Sequence, residues 1–103
     1  MKRYQRYTKY WYPHITTMMR LYPDKLGDTT KGKEAEKAIS EALVETLSQE
    51  NGKEKVKAIN SIYFDDRKTI GGVAYTQYVS RRTVEEWIHE FVYLVAKKLN
   101  YMK

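Results

Sequence analysis

The sequence contains no cysteine. That excludes a disulfide framework and any thiolate metal site, and it removes the main support for an extracellular setting in so short a chain. Long apolar runs are missing as well: the longest, Phe91 to Ala96, has six residues, against the ~20 needed to span a bilayer. The basic N-terminal residues are not followed by an apolar signal core. A cytoplasmic protein without a membrane partner is therefore expected. Histidine is scarce, with only His14 and His89, so a metal site would depend on carboxylates such as Asp65 and Asp66. Adjacent carboxylates diverge more readily than they converge, and a solvated turn explains them better. No internal repeat, low-complexity tract or alternating strand pattern is present, and the fold class that remains is all-α.

The other absences bear on catalysis. Gly71-Gly72 lacks the lysine and the spacing of a phosphate loop, and Ser80 has no base near it in sequence. His14, beside Pro13, belongs to a helix start, and His89 reads as part of an exposed helix face. No catalytic residue, cofactor or metal is assigned, and the chain reads as a non-enzyme. At 103 residues it has the usual size of one domain with one core.

What the sequence does have is positive charge, 19 Lys+Arg against 13 Asp+Glu for a net +6. The charge is blocked. Residues 1–23 hold five bases and no acid, residues 24–52 four bases and seven acids, and residues 53–103 ten bases and six acids. A basic excess attracts polyanions, because each neutralised phosphate releases a condensed counterion; plain solubility explains a net charge of this size equally well. Aromatics cluster at the start (Tyr4, Tyr7, Tyr10, Trp11, Tyr12, Tyr22), interleaved with Arg3, Arg6 and Lys9. They could stack unpaired bases, but the three- and four-residue spacing of Tyr4, Tyr7 and Trp11 favours one packing face of a helix.

Four or five helices can be read. The first runs from Lys2 to Tyr22, kinked or restarted at Pro13 and ended by Pro23. Residues 24–32 read as a mobile loop. Between Lys33 and Gln49, Ala35, Ala38, Ile39, Ala42, Leu43 and Leu47 recur at helical spacing, and Asn51-Gly52 ends that helix. A third pattern from Glu54 to about Phe64 buries Val56, Ile59, Ile62 and Tyr63, and Asp65-Asp66-Arg67-Lys68 forms a charged turn. Thr69 caps a short helix through Gln77, and Ser80 caps a long one ending near Asn100. The long helix carries the stripe Val84, Trp87, Ile88, Phe91, Val95 and Leu99. Its C-terminal half, Phe91 to Leu99, is expected to bury against the N-terminal helices.

Residues 69–88 have the layout of a helix-turn-helix. Ala74 is small where two helices cross, Val79 plugs the turn five residues later, Ser80 caps the second helix, and Val84 and Trp87 pack beneath the first. Tyr78 stands where many such units have glycine, which predicts a different or slightly longer turn, since positive φ is disfavoured for a bulky residue. Gly71 and Gly72 weaken the first helix, each by about 1 kcal/mol relative to Ala. The second helix would expose Ser80, Arg81, Arg82, Glu85, Glu86 and His89 to a major groove. Arg81 and Arg82 suit guanine edges or phosphates, while Ser80 and nearby backbone N–H groups suit a phosphate. Glu85 and Glu86 would repel the backbone and confine contact to the first turn. Arg67 and Lys68 could add phosphate contacts.

The stretch from Ile62-Tyr63-Phe64 through Ser80-Arg-Arg-Thr-Val84 to Leu94-Val-Ala-Lys-Lys-Leu99 resembles the C-terminal half of phage transcriptional activators of the RinA/ArpU type. The helix-turn-helix of that family is similar to region 4 of bacterial sigma factors. The resemblance covers roughly the last 45 residues and leaves the aromatic start unmatched. It implies a phage or prophage regulator in a bacterial host that activates a late or integrase operon, with recognition positions at Ser80, Arg81, Arg82 and Thr83. The expected organisation is one domain over 1–103, with N-terminal helices in 1–50 and the helix-turn-helix part in 54–100. Double-stranded DNA is the expected partner, with RNA polymerase and a second copy of the chain as further candidates. Two other readings stay open: another phage DNA-handling protein such as a small terminase subunit, and a helical adaptor that binds protein instead of DNA.

Overall fold

A computed structural model describes residues 11–21, 30–64 and 68–99 of the chain. It is all-α. The helices are α1 (Tyr12–Leu21), α2 (Thr30–Leu47), α3 (Gly52–Ile59), α4 (Ile70–Gln77) and α5 (Arg81–Lys98), with a π-helical turn over Asn60–Phe64 extending α3. No strand occurs among the described residues. None of the described helices is long and apolar enough to cross a membrane.

Pro13 starts α1 and does not kink it, because in the first turn its missing N–H costs no hydrogen bond. Trp11, Ile15 and Met19 follow at four-residue spacing and are all buried. The packing expected of the aromatic start therefore holds for Trp11; Tyr4, Tyr7 and Tyr10 lie outside the described residues.

Helix α2 buries Ala35, Ala38, Ile39, Ala42 and Thr46. The three alanines are small enough to let α2 approach its neighbours α3 and α5 closely. Leu47, expected on this inner face, is 51% exposed, as α2 ends there and the chain turns away. The link to α3 is tight. Asn51 adopts the left-handed conformation (φ 59, ψ 26), and Gly52 opens α3 against the end of α2. A Cβ on Gly52 would overlap the Leu47 carbonyl oxygen and stand 2.6 Å from that of Thr46.

Helix α5 is the element on which the others assemble, packing against α1, α2, α3 and α4. It buries Val84, Ile88, His89, Phe91, Val92, Val95 and Ala96, and each large aliphatic or aromatic side chain fully removed from water contributes about 1.5–3 kcal/mol. Trp87 and Leu99 from the expected stripe are only partly buried. Near its C-terminal end, Tyr93 meets Trp11 edge-on with ring centroids 5.1 Å apart, and Lys98 Nζ reaches Glu45 Oε1 of α2 at 3.0 Å. One apolar cluster draws residues from all five helices and the π turn.

His89 is the clearest departure from the helix-face reading. It is 5% exposed and stacks edge-on against Tyr12 with centroids 5.7 Å apart. The reason is that α5 is covered on more than one side, so residues beside the stripe are also enclosed.

Candidate nucleic-acid interface

The surface of interest is built by α4, three connecting residues and the start of α5. Lys68 enters it from the π turn, donating its backbone N–H to the Ser61 carbonyl at 2.9 Å. Thr69 takes an extended conformation and its hydroxyl accepts from Gly72 N at 2.9 Å, which caps α4 as the sequence suggested. From α4, Val73 and Ala74 face inward and are buried. Ala74, 4% exposed, lets α4 lie close against α5.

The turn itself corrects the reading of Tyr78. Its backbone is left-handed at φ 59, ψ 41, the conformation that glycine usually supplies. The Val79 N–H donates to the Ala74 carbonyl at 3.1 Å and the Tyr78 N–H to Tyr75 at 3.4 Å. That pair of bonds is a Schellman closure, with Val79 packed against the core as its apolar partner. The short turn is retained, and tyrosine bears the steric cost, about 1 kcal/mol for a residue with a Cβ.

Ser80 then caps α5: its Oγ accepts from Thr83 N at 3.0 Å and shares a 2.8 Å hydrogen bond with Thr83 Oγ1. Because the Ser80 oxygen is already occupied, an anion at this end of α5 would be met by the unpaired N–H groups of its first turn. Arg81 and Arg82 are exposed. The stem of Arg81 crosses the first turn of α4, its Cδ standing 3.9 Å from where a Cβ on Gly71 would be. Arg82 Nε lies 3.5 Å from Glu86 Oε2 one turn on, in a pair whose side chains are 83% and 48% exposed.

The structure thus brings Ser80, Arg81, Arg82 and Thr83 together on one helical turn and places Lys68 at the end of α4 that Arg81 covers. Arg67, like Asp65 and Asp66, lies outside the described residues. Glu85 is half-buried, while Glu86 is exposed and stands beside Arg82 one turn further along α5. Two residues that the sequence reading left without a role stand out here. Tyr75 is 87% exposed and Tyr78 is 94% exposed. The signal for Tyr75 was present in its position next to Ala74, which turns it off the crossing face.

Comparison of the chain with protein-family models, with characterised proteins and with solved structures gives no match.

Proposed function

We propose that the protein is a DNA-binding transcriptional regulator that reads duplex DNA with the first turns of α5. The observation that supports this most is the pairing of a short left-handed turn, closed by the Val79 to Ala74 bond, with a capped helix that opens on two exposed arginines. A helix held this way at its N-terminus can enter a major groove end-first. Arg81 and Arg82 are then the groups for guanine edges or phosphates, with Lys68 and Arg67 as flanking phosphate contacts and Thr83 on the same turn. The resemblance to phage activators of the RinA/ArpU type points to a late or integrase operon in phage or prophage DNA. On this reading the protein works in the bacterial cytoplasm by adding a promoter contact for RNA polymerase. Val44 and Leu47, exposed at 70% and 51% on α2, offer polymerase or a second copy of the chain an apolar surface away from the arginines.

The test is a titration of duplex DNA at low and moderate salt with the wild type and with the double variant Arg81→Ala/Arg82→Ala. Binding that weakens in the variant, with a salt slope shallower by about 0.9 per lost phosphate contact, supports the assignment. Absence of binding by the wild type at low salt would refute it.

A further inference from the structure

The turn explains the backbone of Tyr78, but folding does not explain why a tyrosine stands there. Its backbone sits in the left-handed region that glycine occupies without strain, and its ring is 94% exposed and so contributes almost nothing to packing. A residue that strains the chain and buries nothing is a candidate for function. Its surroundings narrow the choice. Gly71 and Tyr75 are four residues apart on α4 and therefore share one face, and the Arg81 stem lies over Gly71. Tyr75, 87% exposed, is thus on the side of α4 that carries the Gly71 position met by the Arg81 stem, and Tyr78 lies in the turn three residues before Arg81. Two exposed tyrosines therefore stand on the side and at the end of α4 from which the chain passes into the exposed arginines that open α5.

We infer that Tyr75 and Tyr78 are DNA-contacting residues whose phenol hydroxyls donate hydrogen bonds to phosphate oxygens beside the groove entered by Arg81 and Arg82. This rests on the DNA-binding reading above. The cationic neighbours favour a polyanion as occupant, and tyrosine hydroxyls are ordinary donors to the sugar-phosphate backbone. Such a contact is neutral. It adds affinity without releasing a counterion, so its loss leaves the salt slope unchanged, unlike the loss of an arginine contact.

The experiment uses the full chain and a mixed-sequence DNA duplex two helical turns long. Affinity is measured over a range of salt, and thermal midpoints are recorded in parallel. Tyr78→Phe keeps the ring and the backbone and removes only the donor; affinity is expected to fall about fivefold, with salt slope and midpoint unchanged. Tyr78→Gly relieves the backbone and is expected to raise the midpoint by about 4 °C while weakening DNA binding by at least the same factor. Tyr75→Phe should weaken binding in parallel with Tyr78→Phe. Wild-type affinity in Tyr78→Phe would overturn the inference, whatever Tyr78→Gly does, as would a shallower salt slope in Tyr78→Phe. If the wild type itself does not bind the duplex, the functional reading fails first, and the two failures are told apart.

Discussion

Arg81 lies across α4 so that its Cδ stands 3.9 Å from the position of a Cβ on Gly71. That separation is ordinary van der Waals contact, so one methyl group at Gly71 meets the arginine stem without displacing it. Gly71→Ala should therefore gain the helix propensity that glycine forfeits, about 0.5–1 kcal/mol, and leave DNA affinity as it was. Gly72→Ala should gain less, because its Cβ would stand 3.1 Å from the Thr69 hydroxyl that caps the helix. Urea denaturation of both variants checks the order. An equal gain in the two would mean that the Thr69 cap yields freely.

Gly52 sits where a helix start meets the end of the preceding helix. Any Cβ there overlaps the Leu47 carbonyl oxygen, and backbone cannot step aside as a flexible side chain can. Gly52→Ala is expected to destabilise the fold by about 3 kcal/mol or more, opposite in sign to Gly71→Ala. The same denaturation experiment reads it.

Glu86 holds Arg82 in an exposed pair one helical turn long. Pairs of this kind contribute about 0.3–0.5 kcal/mol, so Glu86→Gln should leave stability nearly unchanged. It frees Arg82 and, on the proposed function, removes a negative charge from the DNA-facing turn. Affinity at low salt should rise several-fold, an effect that shrinks as salt screens the charge. Unchanged affinity across the salt range would show that Arg82 does not contribute to binding.

Tyr63 gives a pH signature independent of DNA. Burial pushes its hydroxyl pKa up from 10.0, opposed in part by Arg20, whose guanidinium lies 4.8 Å from the ring centroid. For an acid whose folded pKa is raised, stability is complete below the unfolded value and is lost as pH rises through the folded one. The wild type should lose stability above pH 10, and Tyr63→Phe should lose less over that window while keeping the ring beneath Arg20. Denaturation midpoints from neutral to alkaline pH test this; identical losses in both proteins would exclude Tyr63 as a source.

Much of the candidate surface was legible in the sequence because capping chemistry is local. Thr69 and Ser80 were identified as caps and both make the expected bonds, and Ala74 with Val79 marked the turn correctly. Tyr78 was misread because steric preference is a tendency, and two backbone hydrogen bonds together with the packing of Val79 hold the residue against it. His89 was misread because helical periodicity ranks faces by apolar content. It does not count how many neighbours enclose a helix.

The sequence by itself determined the all-α class, the caps and the run of residues that opens α5, since each follows from propensity, spacing and hydrogen bonding within a few positions. Only the tertiary structure decided which polar groups are enclosed and which aromatic rings face outward. Burial depends on what packs from a distance, and no local pattern places Arg81 over Gly71 or encloses His89.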